Sequence, residues 1–467
     1  MAKKKNSTRR AAAAPLAVVI LAAGEGKRMK SSLPKVLQPL AGVPLLKRVV
    51  DAARALNPAS IAVVYGHGGE AVRAALGAEK LTWVLQRERR GTGHAVQQAL
   101  PHIEDGARVL VLYGDVPLIR VQTLEELLLL AGSDGVALLS VELPDPDGYG
   151  RIVRNARGQV RKIVEQKDAS ARELKLREGN TGVLVAPARR LRAWLAEVRP
   201  HNAQGEYYLT DVIALAVKSK VPVRPLIAPS ALEVLGVNDK VQLAQLEAAW
   251  RAELARELMR GGVTLADPAR LDVRGTLSHG SDVSLDVNVV IEGRVVLGER
   301  VRIGPGCVLR DCEIGAGTEV FAHCVIDGAV IGPDCRIGPF ARVRPHSSLA
   351  GEVHIGNFVE VKNSRLGAGS KANHLAYVGD AELGARVNIG AGTIVANYDG
   401  VNKHRTFIGD DVHTGSNSVL VAPITVGPGA TVAAGSTVAH EVPAGKLTVA
   451  RARQATLDDW QRPQKKK

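Results

Sequence analysis

Apolar side chains recur at two different spacings along the chain, and the change from one spacing to the other divides it. From residue 16 to about 237, short apolar runs alternate with helical stretches such as Leu45–Leu56 and Thr92–Leu100. The runs include Leu16–Leu21, Ile61–Tyr65, Val109–Tyr113 and Val136–Val141. This alternation predicts a mostly parallel β-sheet covered by helices on both faces, with ligands at the carboxyl ends of its strands.

A longer helical stretch follows at 239–260 and is ended by a Gly-Gly pair. One face of it carries Leu243, Leu246, Trp250, Leu254 and Leu258. At about 1.5 Å per residue it spans roughly 33 Å, which is long enough to separate two domains. We interpret it as a linker helix.

Beyond residue 262 one aliphatic residue recurs every six positions, as in Leu285, Ile291, Leu297 and Ile303. After occasional five-residue steps, and an insertion at 397–407, the series continues to Val438. The pattern predicts a left-handed parallel β-helix in which three hexads close a turn, the aliphatic side chains point inward and glycines serve the corners. A β-sandwich, with irregular turns every 8–12 residues, does not explain a period of six held this long.

Composition supports this division. The low share of aromatic residues (3%) and the 48 glycines suit a coil that turns often and stacks small side chains. All the cysteines (Cys307, Cys312, Cys324 and Cys335) fall within the hexads and match no zinc or CxxC spacing. We interpret them as small packing residues in a reducing compartment.

The net charge of +14 is concentrated at the two ends of the chain. Nine positive charges lie at Lys3, Lys4, Lys5, Arg9, Arg10, Arg462, Lys465, Lys466 and Lys467, and subtracting them leaves +5 for the body. We interpret both tails as solvated and expect no specific nucleic-acid partner. The mildly basic body suits phosphorylated substrates.

The beginning of the chain resembles a secretory signal, because apolar residues follow a basic run. The apolar residues pass directly into Gly24-Glu25-Gly26-Lys27-Arg28, however, so a buried first strand is the better interpretation. No other run reaches the roughly 18 apolar residues of a membrane span. We therefore expect no membrane span and a cytoplasmic location.

The loop after the first strand has the composition of a phosphate-binding loop. Its glycines let backbone N–H groups approach phosphate oxygens, and Arg28 and Lys35 can neutralise a triphosphate and a leaving pyrophosphate. It lacks the GKS or GKT of a Walker A loop, and Met29 occupies the place of the third glycine of a Rossmann loop. A second strand ends at Asp115, which is suited to hold Mg²⁺ or, alternatively, to cap a turn.

Polar residues also gather on neighbouring turns of the predicted coil. A lone histidine such as His374 is more often solvated than catalytic. Here its neighbours in the repeat are cationic, amide and hydroxyl side chains, which suit a phosphosugar better than a packed core. They are Arg344, Lys362, Tyr377, Asn388, Asn397 and Tyr398. Glu360 lies nearby in the repeat count.

Taken together, these segments resemble the sugar-1-phosphate nucleotidylyltransferases, and most closely the bacterial bifunctional N-acetylglucosamine-1-phosphate uridylyltransferase/glucosamine-1-phosphate acetyltransferase family. The resemblance runs from about Leu16 to Arg451. It includes Gln86, Gly91-Thr92-Gly93-His94, Gly148-Tyr149-Gly150-Arg151, Glu165-Gln166-Lys167-Asp168, Asn180-Thr181-Gly182, Gln204-Gly205-Glu206-Tyr207-Tyr208 and Gly236-Val237-Asn238.

The resemblance implies five segments. They are a basic N-terminal tail (1–15), a Rossmann-like uridylyltransferase domain (16–238), the linker helix (239–262), a β-helix acetyltransferase domain (263–455) and a basic C-terminal tail (456–467). It also implies that acetyl-CoA acetylates glucosamine 1-phosphate, after which UTP and the resulting N-acetylglucosamine 1-phosphate give UDP-N-acetylglucosamine and pyrophosphate. The product serves peptidoglycan and lipopolysaccharide synthesis in this family, whose members form homotrimers.

By the same resemblance, both sites can be assigned residue by residue. Arg28 and Lys35 would act on the phosphates, and Asp115 and Asn238 would bind Mg²⁺. UDP-sugar contacts would come from Leu21, Ala22, Ala23, Gly24, Lys35, Gln86, Gly91, Thr92, Tyr113, Gly114, Asp115, Gly150, Glu165, Asn180 and Asn238.

In the coil, His374 would be the general base, oriented by Glu360. The sugar phosphate would contact Arg344, Lys362, Tyr377 and Asn388. Acetyl-CoA would contact Ala391, Asn397, Tyr398, Ser416, Ala434 and Arg451. His413-Thr414 departs from the aromatic or aliphatic pair expected before Ser416.

Two other functions remain open from the residues alone. The coil would be only structural in a nucleotidylyltransferase of the ADP-glucose pyrophosphorylase kind. A non-enzymatic scaffold, like certain subunits of translation exchange factors, could have the same two domains. The His374 segment argues against the first function, and the presence of Arg28, Lys35 and Asp115 argues against the second.

Overall fold

The computed structural model describes residues 14–66, 68–77 and 79–465. Most of the predicted N-terminal tail, and Lys466 and Lys467 of the C-terminal tail, lie outside the described residues. The chain divides into two compact units between Trp250 and Arg251. Each unit is described on its own.

The first unit is an α/β unit with one large sheet. Its strands are β1 Leu16–Ala22, β2 Pro39–Leu40, β3 Val43–Pro44, β4 Ser60–Tyr65, β5 Thr82–Leu85, β6 Arg108–Tyr113, β7 Val136–Glu142, β8 Gly150–Arg154, β9 Val160–Val164, β10 Glu178–Pro187 and β11 Val223–Ile227. Its helices are α1 Leu45–Ala55, α2 Gly69–Ala75, α3 Thr92–Ala99, α4 Val121–Ala131, α5 Ala188–Glu197 and α6 Asp211–Lys218. Short 3₁₀ turns lie at Lys27–Met29, Lys35–Leu37, Leu100–His102, Gln166–Asp168, Glu173–Lys175 and Ala231–Val234.

The strand order of the main sheet is β11-β7-β10-β6-β1-β4-β5, with β8 and β9 added beside β10. β1 lies between β4 and β6 and is parallel to both, so the carboxyl ends of β1 and β6 meet at one edge. Strand β10 runs antiparallel to β6 and β7, which makes the sheet mixed. The prediction of a mostly parallel sheet holds for its central part, while β8 to β10 were not anticipated.

Two apolar layers cover this sheet because alternate residues of each central strand face opposite sides. Val19 of β1 lies in one layer with α3 and α5 residues, whereas Val18 and Ile20 lie in the other with α1 and α4 residues. All three are completely buried. Strands buried on both faces explain the unbroken apolar runs of the sequence.

Helix α7, Lys240–Arg260, crosses the division between the units. In its first half Leu246 is buried in a small cluster with Met29, Leu40 and Val237. In its second half Leu258 is buried in the apolar core of the second unit. The apolar face predicted for this helix thus serves two separate cores.

The second unit is a coil of short parallel strands. They are β12 Thr264–Leu265, β13 Leu271–His279, β14 Ser284–Leu285, β15 Val289–Leu297, β16 Arg302–Ile303, β17 Val308–Arg310, β18 Glu313–Ile314, β19 Glu319–Val320, β20 Val325–Asp327, β21 Val330–Ile331, β22 Arg336–Ile337, β23 Arg342–Val343, β24 Ser348–Leu349, β25 His354–Asn357, β26 Glu360–Lys362, β27 Arg365–Leu366, β28 Lys371–His374, β29 Tyr377–Gly379, β30 Ala381–Leu383, β31 Asn388–Ile389, β32 Ile394–Ala396, β33 Thr406–Ile408, β34 His413–Thr414, β35 Val419–Val421, β36 Ile424–Val426, β37 Thr431–Val432, β38 Thr437–Val438 and β39 Leu447–Thr448. A 3₁₀ turn lies at Pro268–Arg270.

Over most of the coil, partner residues of neighbouring turns lie 17 or 18 positions apart, so that Leu285 pairs with Ile303 and Ile303 with Val320, and across the insertion they lie 25 apart. The spacing of 17 or 18 is three hexads, less one residue where a five-residue step occurs. The aliphatic side chains of the hexads form one continuous buried core that also includes the four cysteines, which are unpaired. The parallel β-helix and the packing role of the cysteines are therefore confirmed.

The segment boundaries predicted from the sequence stay predictions, since the structure divides the chain inside α7 rather than at its ends. None of the described helices is long and apolar enough to cross a membrane.

Candidate active sites

The first candidate site lies where β1 and β6 end side by side. The Gly114 N–H donates to the carbonyl of Leu21 at 2.9 Å and holds the two strand ends together. A cleft of about 250 Å³ opens there. It is lined by Leu21, Ala22, Ala23, Gly24, Lys35, Val36, Gln86, Arg89, Gly91, Thr92, Ala95, Tyr113, Asp115 and Glu206.

Helix α3 begins at this cleft, and the residue before it must be glycine. Gly91 has φ of +105°, and a Cβ there would lie 2.7 Å from the carbonyl oxygen of Tyr207. The facing loop is held by hydrogen bonds from the Gly93 N–H to the Tyr207 carbonyl at 2.8 Å and from the Leu209 N–H to Thr92 Oγ1 at 3.1 Å. The segment Gly91-Thr92-Gly93-His94 therefore sets one wall of the cleft.

Gln86 is buried in another wall of the cleft. Its Nε2 donates to the Gly91 carbonyl at 3.2 Å and lies 3.1 Å from Nδ1 of His94. Burial and the charge of Arg90 lower the pKa of His94, while the Glu88 carboxylate and carbonyl act in the opposite direction without reversing the shift. His94 thus stays neutral at pH 7.

Lys35 bridges the two residues predicted to bind a metal ion. Its Nζ lies 2.5 Å from Oδ2 of Asp115 and 3.3 Å from Oδ1 of Asn238. The Asp115 carbonyl also accepts the Val237 N–H at 2.9 Å, which fixes the loop that carries Asn238. Both oxygens already lie beside the Lys35 ammonium, so the same position can also attract a metal ion.

A second cavity, of about 470 Å³, adjoins the first and shares Thr92, Tyr113 and Asp115 with it. Arg28, Gly150, Glu165, Asn180 and Asn238 line it as well. Every UDP-sugar contact predicted from the sequence except Gly114 therefore lines one of two connected cavities. Gly114 lies in the chain between Tyr113 and Asp115, which line both cavities.

Burial raises the pKa of Glu165, although its Oε1 accepts a hydrogen bond from Thr210 Oγ1 at 2.9 Å. Burial also raises the pKa of Tyr113 well above its ordinary value, and the charges of Glu165 and Asp115 add to this effect. Both groups therefore resist taking or keeping a negative charge beside a polyanionic ligand.

The second candidate site lies on the coil, where cationic residues occupy one column. Arg344 donates its N–H to the Val361 carbonyl at 2.8 Å, next to Lys362, and the Asp380 N–H donates to the Lys362 carbonyl at 2.9 Å. These residues thus follow one another on successive turns. Glu360 lies two positions before Lys362 on the same strand and accepts from Arg344 Nη1 at 2.9 Å.

Asp380 is a buried carboxylate at the centre of this site. It accepts from Asn363 Nδ2 at 2.5 Å, accepts from Asn397 Nδ2, and lies 3.7 Å from Nζ of Lys362. Burial opposes ionisation, yet the two amide donors, with Lys362 and Lys403, outweigh it and lower the pKa of Asp380. Asp380 remains ionised and anchors the insertion at 397–407 to the coil.

Lys403, in that insertion, lies beside Lys362. The neighbouring Lys362 ammonium lowers the pKa of Lys403, because two like charges face each other across a short gap. A bridge between Tyr398 and Lys403 shapes the insertion into a small hairpin. Two adjacent ammonium groups form a point of strong attraction for a phosphate.

His374 is exposed at the end of its strand, in register with Asn357. Among the described residues, the polar partners of Glu360 are Arg342 and Arg344, and its strand partners are Arg342 and Tyr377. Within the part of the chain that the structure describes, Glu360 therefore makes no hydrogen bond to His374 and pairs with the two arginines instead. The orientation of His374 by Glu360 stays a prediction.

Four of the six residues predicted to contact acetyl-CoA, Ala391, Ser416, Ala434 and Arg451, lie in a second column. The Asn417 N–H donates to the Ala391 carbonyl at 2.7 Å, and the Gly435 N–H donates to the Ser416 carbonyl at 2.8 Å. Arg451 Nη1 donates to the Ala434 carbonyl at 2.6 Å. Asn397 is buried and its Nδ2 donates to Asp380, and its contact with acetyl-CoA stays a prediction.

Three residues were not singled out from the sequence: Asp380, Lys403 and His94. The turn length of 17 or 18 residues would have placed Asp380 beside Lys362. Lys403 lies in the insertion, where the period is lost, so no sequence pattern indicated it. His94 was quoted as part of a segment without a role of its own.

Comparisons with known proteins agree with this geometry. The family described as MobA-like NTP transferase domain matches residues 18–205, the GMPPB C-terminal domain matches 273–359, and the bacterial transferase hexapeptide (six repeats) matches 405–440. A curated relative, the bifunctional protein GlmU of Azoarcus sp. (strain BH72), is 59% identical over 96% of this chain and 100% of its own. The chain belongs to the bifunctional GlmU family.

The proteins of that name from Aromatoleum aromaticum (58% identical; 96% of this chain, 99% of that one) and Stenotrophomonas maltophilia (56% identical; 97% and 99%) agree with this membership. A solved structure, a putative glucose-1-phosphate thymidylyltransferase from Bacillus anthracis in complex with a sucrose, is 20% identical with a TM-score of 0.40, over 50% of this chain and 94% of that one. That likeness is too low to bear on the fold or function of this chain.

Membership in the GlmU family confirms the family, the fold class and the function predicted from the sequence. The chain is a bifunctional transferase, with a nucleotidyltransferase domain and a hexapeptide-repeat acetyltransferase domain. A merely structural coil and a non-enzymatic scaffold are both excluded. A nucleoside triphosphate and acetyl-CoA are its co-substrates.

Proposed function

We propose that the two connected cavities of the first unit bind UTP and N-acetylglucosamine 1-phosphate, and that the coil site around Lys362 acetylates glucosamine 1-phosphate. The observation that carries the first assignment is the position of Lys35 Nζ between Asp115 and Asn238, at the point where both cavities meet. A nucleotide in the first cavity and a sugar phosphate in the second would bring their phosphates together there.

In uridylyl transfer a phosphate oxygen of the sugar attacks the α-phosphorus of UTP, and the bond to the β-phosphate breaks as pyrophosphate leaves. The sugar phosphate is already a good nucleophile, so the protein needs to align the groups and neutralise their charge. Lys35 would move from Asp115 to the phosphates, and the exposed Arg28 guanidinium at the mouth of the second cavity would meet the leaving group.

The residues fit a magnesium ion. Asp115 and Asn238 offer one carboxylate and one amide oxygen, which are hard ligands, and an ion bound by so few protein groups keeps water and substrate phosphate ligands. When bound, Mg²⁺ would neutralise charge that develops on the phosphates. Among the described residues no cluster of three or more His, Cys, Asp or Glu forms a metal cage.

In acetyl transfer the amine of glucosamine 1-phosphate attacks the thioester carbonyl of acetyl-CoA, and the coenzyme thiolate leaves. His374, which is exposed, would take the proton of the amine. Lys362, Lys403 and Arg344 would hold the phosphate. The column from Ala391 to Arg451 would receive the coenzyme.

We further propose that the protein is a homotrimer in the cytoplasm and supplies UDP-N-acetylglucosamine for cell-wall synthesis. The flat strand faces of a hexapeptide coil support association. Sedimentation of the full chain would show three copies, and a monomer at working concentration would refute this part.

A coupled assay tests the two sites together. With glucosamine 1-phosphate, acetyl-CoA and UTP all present, we expect UDP-N-acetylglucosamine, and none when any one is left out. Asp115→Ala should abolish uridylyl transfer and leave acetyl transfer intact, whereas His374→Ala should do the reverse. UDP-sugar synthesis by Asp115→Ala would refute the first site, and loss of both activities in either variant would indicate misfolding instead.

A further inference from the structure

The direction of the Gln86 amide in the nucleotide cleft is determined by its neighbours. Both N–H bonds of Nε2 are directed away from the cleft centre, toward the Gly91 carbonyl at 3.2 Å and His94 Nδ1 at 3.1 Å. The Gly91 carbonyl can only accept, so the nitrogen and not the oxygen must face it. Among the described residues Oε1 of Gln86 has no partner, and it is the amide atom left for a ligand.

This arrangement also fixes the protonation of His94. Nδ1 must carry no proton, because it faces a nitrogen that donates, and the proton of the neutral ring therefore lies on Nε2. Nε2 of His94 lies 3.2 Å from Nε2 of Gln98, and turning the Gln98 amide by 180° brings its oxygen there to accept that proton. The Tyr207 ring covers the imidazole with a centroid distance of 6.4 Å.

We propose that His94 is a positioning residue that sets the base preference of the cleft by holding the Gln86 amide with its oxygen toward the ligand. This inference rests on the proposed binding of UTP in the same cleft. An acceptor at that point matches uracil, whose N3 carries a proton, and opposes cytosine, whose N3 carries a lone pair. It does not distinguish uracil from 5-methyluracil, since both have the same N3–H.

Protonation of His94 would weaken the preference. A proton on Nδ1 would face the Gln86 N–H, while a turned amide would set its oxygen against the Gly91 carbonyl, so the Gln86 amide would no longer be held in one orientation. The groups around the ring are Arg90, Glu88, Tyr207, Gln86 and Gln98, and burial with Arg90 keeps the pKa of His94 below its ordinary 6.5. Discrimination against CTP should therefore be greatest at pH 7 and decline as the pH falls through the lowered pKa of His94.

The test compares kcat/KM for UTP, CTP and 5-methyluridine triphosphate in full-length variants, with saturating sugar phosphate. His94→Leu removes the acceptor, and the UTP-to-CTP ratio should fall about three- to tenfold, the equivalent of one neutral hydrogen bond. His94→Asn places an amide oxygen near the Nδ1 position and should restore the ratio without its pH dependence. The ratio of UTP to 5-methyluridine triphosphate should not change in either variant.

Gln97→Leu is the matched control, because Gln97 lies on the same helix and donates to the Leu195 carbonyl at 2.7 Å, away from Gln86. It should lose stability without changing any ratio. If wild-type protein releases no pyrophosphate from UTP, the proposed function fails and this inference with it. If it does, and the UTP-to-CTP ratio is unmoved in His94→Leu, this inference alone is wrong.

If the leucine variant does not fold, the pH profiles of wild type and His94→Asn decide the same point. A UTP-to-CTP ratio that declines in acidic solution in wild type and stays constant in His94→Asn supports the role of His94. Identical profiles refute it.

Discussion

Replacing Asp380 by asparagine should loosen the coil at its active site. The carboxylate is 5% exposed and accepts hydrogen bonds from two amides, those of Asn363 and Asn397. A new amide in its place would turn one acceptor oxygen into an N–H₂ group that faces another amide N–H₂. Lys362 would also lose its counter-charge at 3.7 Å.

Each hydrogen bond to a charged group contributes about 1.5–3 kcal/mol. Losing one and weakening the other should cost roughly 3 kcal/mol, or about 6–12 °C in the unfolding midpoint of a unit of this size. Because the hairpin at 397–407 is fastened through Asn397, acetyl transfer should fall while uridylyl transfer is unchanged. Calorimetry and the two separate activity assays measure these effects.

The difference in stability between wild type and Asp380→Asn should depend on pH in a defined direction. The folded-state pKa of Asp380 is lowered, so its carboxylate contributes stability that is present above the unfolded pKa, near 3.9, and is lost as the pH falls through the folded value. Wild type and Asp380→Asn should therefore converge in strongly acidic solution. Asp399→Asn is the control, since that carboxylate is exposed and pairs with His404 within the hairpin. Equal midpoints for wild type and Asp380→Asn at pH 7 would refute this reasoning.

Three further substitutions have defined outcomes. Gly91→Ala should cost about 1–3 kcal/mol of stability and weaken UTP binding, because φ is +105° and the Cβ would meet a backbone oxygen at 2.7 Å. Gly106→Ala should change neither stability nor UTP binding, because a Cβ there has nothing within 4 Å. Denaturant titration measures the stability and UTP calorimetry measures the binding. Lys403→Ala should raise KM for glucosamine 1-phosphate roughly tenfold, about 1.4 kcal/mol, while the exposed Lys446→Ala should not; equal values would contradict the phosphate assignment. Ile326→Ala, at a completely buried core position, should cost about 2–5 kcal/mol in the same titration, and a loss below 1 kcal/mol would argue against close packing between turns.

The spacing of apolar residues predicted the coil well because a hexad contributes one inward side chain wherever it lies. Leu285, Ile303 and Val320 were placed in register by counting alone, and the structure pairs them. Counting fails where the chain leaves the coil. The contact between Asn397 and Asp380, and that between Lys403 and Lys362, depend on the path of a hairpin that no period describes.

The first unit was predicted less completely because its later strands carry weaker signals. Strand β11 is only partly buried, β9 has an exposed residue at Arg161, and the last two residues of β8 are half-buried. Lys35 and Asp115 were predicted from the residues themselves and Asn238 from the resemblance, but the meeting of the two oxygens at one ammonium group required the fold. Their roles as ligands stay predictions until metal binding is measured.

The second half of α7 caps the end of the coil's apolar core. A stack of parallel turns exposes unpaired strands and an apolar core at each end, which invites association with other chains. Leu258 is buried in the apolar core of the coil and Leu254 packs against it, so the helix belongs to the coil's own fold from Arg251 onward. A fragment that begins at Leu271 would expose that end and aggregate, whereas one that begins at Lys240 would keep it closed. Where the chain is cut thus decides whether the acetyltransferase half can be obtained alone.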